Sequence, residues 1–319
     1  MKVKANCNSI DQQTINTLQH TKYAQHTSYN MVPISRIAVV TGANKGIGYF
    51  IALQLGLSGL FSDIVLGCRD SGRGATAMNE IQDKINSISN TNANANKNAV
   101  HVHSFPLTIG DTNSHTAFCA RLEKEFGGSV DVLVNNAGFA YKGSDPTPFR
   151  EQTAKTLETN YYGLVDFTQR MLPLLRKGTD ARIVTVASMA GRLGQVSPEL
   201  QARFSDPELT IEQLNGLVKE FEEAVQQNQP KERGWLSKSN YGVSKLAAIA
   251  ATRVFARQEC GAGNAISVNS CCPGYCDTDM TSHRGPRPPE EGAKNAVIPA
   301  TMDNPPTGKY FADYKLATW

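Results

Sequence analysis

The sequence predicts an α/β fold: a three-layer, doubly wound parallel sheet in a single domain, with a helical insertion. Three observations predict it. Short, largely apolar runs recur at Ile37–Thr41, Ile64–Cys68, Val130–Asn135, Ile183–Ala187 and Ala265–Cys271. Helical stretches follow the first two, at Ile47–Leu57 and Arg73–Ile88. A glycine-rich turn, Thr41–Gly48, joins the first strand to the first helix. Strands that are apolar throughout, rather than alternating, are those buried between two helix layers. The series occurs once, so one domain is expected over 34–319, behind a leader of 1–33.

Two segments interrupt the pattern. Ser87–Asn98 is polar and Asn-rich, which predicts a flexible surface loop. Residues 191–235 form a longer insertion, in which Ile211, Leu214, Leu217, Val218, Phe221 and Val225 fall at helical spacing. One apolar helix face of that kind is expected to pack on its own domain. The leader is polar, contains Asp11 as its only acid, and has neither an apolar core nor an arginine. It does not read as a secretory signal; a disordered leader fits its composition, and an organelle transit peptide fits less well.

Composition narrows the function. With 319 residues, 40% of them hydrophobic, the chain can bury a core without staples. A net charge of +3, with no Lys/Arg run, gives no reason to expect nucleic acid. No stretch of about 18 apolar residues predicts a membrane span. The seven cysteines show no zinc-type spacing, so no metal is expected, and reduced thiols in a cytoplasmic protein are.

Chemistry begins at the glycine turn. Gly42, Gly46 and Gly48 give the spacing G-x-x-x-G-x-G, with Asn44, Lys45 and Ile47 between them. Glycines at a strand-to-helix junction let backbone approach a pyrophosphate, which the helix N-terminus then attracts. The end of the second strand selects the cofactor. An NAD-binding fold places an acid about 20 residues past the glycines. Here Arg69 stands there, followed by Arg73, and guanidinium groups suit a 2′-phosphate. NADPH/NADP+ is therefore the expected cofactor.

Tyr241 and Lys245 lie four residues apart, on one face of an Ala-rich helical run. A phenol of ordinary pKa near 10 is a poor acid–base group at neutral pH, and a nearby ammonium would lower it. Read alone, this pair fits a core tyrosine and a solvated lysine better than a catalytic pair. Ser188, however, ends the Ile183–Ala187 strand, and Asn135-Asn136-Ala137-Gly138 ends the preceding one. Both fall at the carboxyl edge, where α/β sheets bind ligands. Asn160 is an unusual polar residue in an apolar helix, where it would also fit a kink; Ser188 would also fit a plain turn.

Together, T-G-A-N-K-G-I-G, N-N-A-G, Ser188, Y-G-V-S-K and C-C-P-G resemble the short-chain dehydrogenase/reductase family. From about Arg36 to Trp319 the chain is similar, more narrowly, to its monomeric NADPH-dependent carbonyl reductases, through D-P-T-P-F, S-P-E-L-Q and P-E-E-G-A. The resemblance implies a Rossmann-type fold, a small-molecule ketone, aldehyde or quinone substrate, and a monomer. It implies Tyr241 as proton donor, Ser188 as the group holding the carbonyl oxygen, and Lys245 as ribose ligand and modulator of the tyrosine. Asn160 would anchor a relay water. Asn136, Gly138, Pro273, Gly274 and Thr278 would line the cofactor, and Ala190 and Tyr275 the substrate. Thr108, Ala187, Ala190 and Tyr275 depart from those relatives, the last two toward a roomier pocket. Two other readings stay open: a terpenoid- or alkaloid-type ketone reductase, and a catalytically silent NADPH-binding sensor.

Overall fold

A computed structural model describes residues 36–91, 99–261 and 266–319. The leader expected over 1–33 and much of the polar loop lie outside them. Eight strands form one sheet in the order β3-β2-β1-β4-β5-β6-β7-β8. They are β1 (Ile37–Thr41), β2 (Asp63–Cys68), β3 (His101–Pro106), β4 (Val132–Asn135), β5 (Arg182–Val186), β6 (Ser267–Cys272), β7 (Tyr310–Ala312) and β8 (Lys315–Ala317). All neighbours pair in parallel except β7 with β8. The winding direction reverses between β1 and β4, the switch point at which such sheets take their ligands.

The helices are α1 (Gly46–Leu57), α2 (Ser71–Thr91), α3 (Thr112–Phe126), α4 (Phe149–Leu157), α5 (Gly163–Leu175), α6 (Pro198–Ser205), α7 (Ile211–Gln226), α8 (Asn240–Glu259) and α9 (Pro289–Thr301). Alternation along each strand sorts the core into two layers. Val39, Val65, Leu133, Ile183 and Val268 pack with α3, α5 and α8. Ala38, Val40, Ile64, Leu66, Val134 and Val184 pack with α1, α2 and α9. The three-layer sandwich expected from the apolar runs is the fold observed.

Several expectations need correction. Strands β3, β7 and β8 were not anticipated, because His-Val-His-Ser-Phe-Pro and two three-residue segments carry no continuous apolar run. The first five residues of Ser87–Asn98 are helical rather than loop, since α2 continues to Thr91 beyond its buried Ile81 and Ile85. Strand β6 starts at Ser267, later than the apolar run suggests. Cys68, Cys119, Cys271, Cys272 and Cys276 are free thiols.

In the insertion, Thr210 and Gln213 form a reciprocal capping box that starts α7. Its face of Ile211, Leu214, Leu217, Val218, Phe221 and Val225 is buried, and Trp235 packs edge-on to Phe204 and tilted against Phe221. α7 rests on α4 and α8. Among the described residues, no helix is long and apolar enough to cross a membrane, and no cluster of metal-ligating residues is present.

Candidate active site

The phosphate-loop side is shaped by backbone. β1 ends at Thr41, whose Oγ1 accepts the N–H groups of Asn136 and Ala137 at 3.0 and 2.9 Å. Asn136 Nδ2 donates in turn to the Thr41 and Gly42 carbonyls at 2.8 and 3.2 Å. The ends of β1 and β4 are thereby locked side by side. Gly42 has a φ of +65° and Gly46 of +57°, left-handed conformations that favour glycine. At Gly48 the reason is space: a Cβ there would lie 2.6 Å from the Gly42 carbonyl oxygen and 2.4 Å from Asn136 Nδ2. Helix α1 begins with Lys45 at its N-cap and no side-chain cap. Its first N–H groups therefore face a tight glycine cradle beside β4, a fit for a pyrophosphate.

Two basic residues differ from expectation. Lys45 does not face the loop's cradle alone; its Nζ pairs with Asp279 at 2.5 Å, which holds the Asp279 carboxyl below its ordinary pKa. Asp70, directly after Arg69, was overlooked as a nearby acid. Its Oδ1 caps α2 by accepting the Arg73 N–H at 2.9 Å, and its Oδ2 lies 3.6 Å from Arg73 Nε. Arg69 is exposed and, among the described residues, has no acidic partner, so it carries the stronger case for a phosphate contact.

At the other side, Ser188 follows β5 and caps a short 3₁₀ turn, Met189–Gly191, its Oγ accepting the Ala190 N–H at 3.1 Å. Ser239 caps α8, placing Tyr241 in the first turn and Lys245 one turn later. Tyr241 lies near enough to Ser188 for the serine hydroxyl to influence its phenol. Lys245 is 3% exposed; its Nζ donates to the Val186 carbonyl at 2.8 Å and lies 5.7 Å from the Tyr241 ring centre. Burial pushes the Tyr241 phenol up to about 12, with the Ser188 hydroxyl pulling the other way. Burial brings the Lys245 ammonium down to about 8. The expected lowering of the tyrosine by the lysine is not what dominates here, because desolvation acts on both groups and weakens the ammonium itself.

Asn160 joins the same corner. Between α4 and α5 the chain makes a π turn, Glu158–Tyr162, with Asn160 wholly buried inside it. Its Oδ1 accepts the Phe139 N–H at 2.7 Å, and its Nδ2 donates to the Phe139 carbonyl at 2.8 Å and Ser244 Oγ at 3.0 Å. A Cβ at Gly138 would lie 3.5 Å from Lys245 Nζ and 3.6 Å from Asn160 Oδ1. Gly138, Asn160 and Lys245, far apart in sequence, therefore meet. The π turn is a feature that recurs at functional sites.

After β6, Pro273 is buried, Gly274 turns with a φ of +84°, and Thr278 sits within 3.5 Å of where a Gly46 side chain would start. Ala190 and Tyr275 are exposed beside the Ser188 turn and the Gly274 turn, together with Met189. Sequence reading missed Thr41, Gln195 and Trp319 as supports of these loops; Cys272 was readable as a cysteine near the site or a buried structural thiol, through its place in C-C-P-G, and it holds the Met189 N–H.

The arrangement agrees with what the chain is similar to. Residues 36–198 and 231–288 match the family described as short chain dehydrogenase. The unmatched interval contains most of α6 and all of α7. "Carbonyl reductase [NADPH] 1" of Sus scrofa is 37% identical over 293 residues, 89% of this chain and 94% of that protein. Among solved structures, salutaridine reductase from Papaver somniferum superposes with a TM-score of 0.74 at 28% identity, covering 87% of this chain and 99% of that one. Menthone neomenthol reductase from Mentha piperita gives 0.69 at 28%, covering 88% and 99%. With the family match spanning both the glycine loop and the Ser188–Tyr241–Lys245 corner, the chain belongs to the short-chain dehydrogenase family.

Proposed function

We propose that this chain reduces ketone, aldehyde or quinone carbonyls to alcohols with NADPH, using Tyr241 as proton donor. The observation that carries the reading is Tyr241 in the first turn of α8, near enough to Ser188 at the carboxyl edge for the serine hydroxyl to act on the phenol, and one helical turn from a buried Lys245. NADPH, when bound, supplies hydride to the carbonyl carbon. The open N-terminus of α1 and the Gly42–Gly48 cradle hold its phosphates, and Arg69 its 2′-phosphate. Asn136, Gly138, Pro273, Gly274 and Thr278 line it. Ser188 Oγ holds the substrate oxygen and stabilises charge developing there. A phenol pushed up to about 12 is protonated at neutral pH, the state that reduction requires. Lys245 grips the ribose, and the free lone pair of Asn160 Oδ1 is where a relay water joins.

Relatives described as carbonyl reductases and two 28%-identical ketone reductases support a carbonyl substrate over a silent sensor. Exposed Met189 and Tyr275, with the small exposed Ala190 next to Met189, favour an apolar substrate of some bulk. The insertion packed over α4 and α8 supports a monomer.

The test is loss of nicotinamide absorbance on mixing purified protein with quinones, aromatic aldehydes, diketones and monoterpene ketones, with NADH in parallel. Turnover with strong NADPH preference is expected. Tight NADPH binding without turnover on any of them would overturn the reductase reading.

A further inference from the structure

The turn that carries Ser188 is a single 3₁₀ turn with three local hydrogen bonds: Gly191 N–H to the Ser188 carbonyl at 2.9 Å, Arg192 N–H to the Met189 carbonyl at 3.2 Å and Ala190 N–H to Ser188 Oγ at 3.1 Å. Three side chains from elsewhere hold its other backbone groups. Cys272 Sγ, on β6, accepts the Met189 N–H at 3.2 Å. Trp319 Nε1 donates to the Gly191 carbonyl at 2.8 Å. Gln195 Nε2 donates to the Ala190 carbonyl at 2.8 Å.

Of these three, Gln195 is the one that also hydrogen-bonds to the first turn of the tyrosine's helix; Trp319 meets that helix farther along, under Arg253. The same Nε2 donates to the Gly242 carbonyl at 3.1 Å, next to Tyr241. Both partners are carbonyl oxygens, so the amide nitrogen must be the atom that faces them. One amide group thus spends both hydrogens bridging the residue two past Ser188 to the residue one past Tyr241. The bridge spans a tight seam: a Cβ at Gly242 would lie 3.0 Å from the Ala190 carbonyl oxygen, and one at Gly191 only 2.6 Å from the Lys245 carbonyl carbon.

Gln195 is a poor choice for packing alone. It is 8% exposed, and its Oε1 is buried without a hydrogen-bond partner among the described residues. A buried acceptor left unpaired opposes folding. What the residue achieves lies on its nitrogen side.

We propose that Gln195 is a positioning residue, whose amide nitrogen fixes the Ser188 turn against the first turn of α8 and so sets the Ser188-to-Tyr241 geometry. This rests on the reading of those two residues as oxygen-holding group and proton donor.

Gln195→Met keeps length and removes the donor; Gln195→Glu keeps shape and sets a carboxylate against two carbonyl oxygens. Hydrogen–deuterium exchange reads the staple without turnover. Faster exchange over 188–191, with β5 and the later turns of α8 unchanged, is expected for both variants. In carbonyl reduction, kcat should fall about tenfold while NADPH affinity stays within about twofold, the split expected when reacting groups are misplaced but cofactor is not. Gln195→Glu should regain rate as pH falls, because only the protonated carboxyl can donate, whereas Gln195→Met should not. Unchanged kcat and exchange in Gln195→Met would overturn the proposal. So would exchange accelerated evenly across the sheet, the mark of general destabilisation. If the unaltered chain reduces no carbonyl, the proposed reaction falls and exchange over 188–191 alone judges the staple.

Discussion

Between β1 and β4, the carboxyl edge of the sheet is formed by main chain. Glycines at 42, 46 and 48 bring the start of α1 close to Asn136 and Ala137, and few side chains intervene. Across β5 and β6 the opposite holds. There the Ser188 turn is suspended between Gln195, Cys272 and Trp319, and it faces two titratable groups, the half-buried Tyr241 and the buried Lys245. The first region can do little but bind a ligand in one place, because its contacts leave no room for alternatives. The second holds groups whose burial opposes their own charge. Binding and proton chemistry are thus supported by different physics, and each can be damaged without the other.

The largest expected effect lies on the proton side. Tyr241→Phe removes the hydroxyl and leaves the ring in place, so carbonyl reduction should fall by about 10²–10⁴, the range for loss of a positioned acid. NADPH affinity, measured by fluorescence titration, should hardly change. Substantial turnover in this variant would remove Tyr241 from its assigned role and erase the division between the two regions.

On the loop side the corresponding change is one methyl group. Gly48→Ala would set a Cβ 2.6 Å from the Gly42 carbonyl oxygen, a contact that only backbone movement can relieve. NADPH affinity should weaken about tenfold or more, as expected when a close-packed backbone seam is forced open. kcat at saturating cofactor should be much less affected. If kcat fell and affinity held, the loop would be shaping the reaction rather than the binding.

The same contrast decides what was legible in the sequence. The glycine loop was readable because its residue type is forced by φ or by space and its spacing sits within one strand-to-helix turn. Ser188, Tyr241 and Lys245 were readable because strand end and helical spacing place them without further information. The supports were not. Trp319 bonds Gly191 across 128 residues, and Cys272 meets Met189 across 83. Nothing in either stretch announces its partner. Gln195 is an ordinary polar residue inside an insertion until the fold buries it. Lys45 and Arg73 read as phosphate ligands, but Asp279 and Asp70 engage them. The pKa balance of Tyr241 and Lys245 was likewise misjudged, since burial is a property of the assembled layers rather than of four-residue spacing.

The last effect is on stability rather than on binding or rate, and its sign separates the regions. Lys245 has an ordinary pKa of 10.5 and is brought down to about 8 in the fold. Above 10.5 the group is neutral in both folded and unfolded chains and the shift costs nothing. As pH falls from there toward 8 the unfolded chain takes up the proton more readily, and below 8 the full penalty is present. That penalty is about 3 kcal/mol, from the difference between the two values. Lys245→Met removes it, but also strips the Val186 carbonyl of its donor, a loss of about 1 kcal/mol. At pH 7 the variant should therefore be inactive yet melt a few degrees higher, a net gain of about 2 kcal/mol. The gain should shrink as pH is raised from 8 through 10. Gly48→Ala, whose strain involves no proton, should instead melt lower by the same amount across that range. Thermal unfolding of both variants at several pH values checks this. A Lys245→Met gain that ignored pH would mean the lysine is not held against its charge, and the two regions would then differ only in which residues they contain.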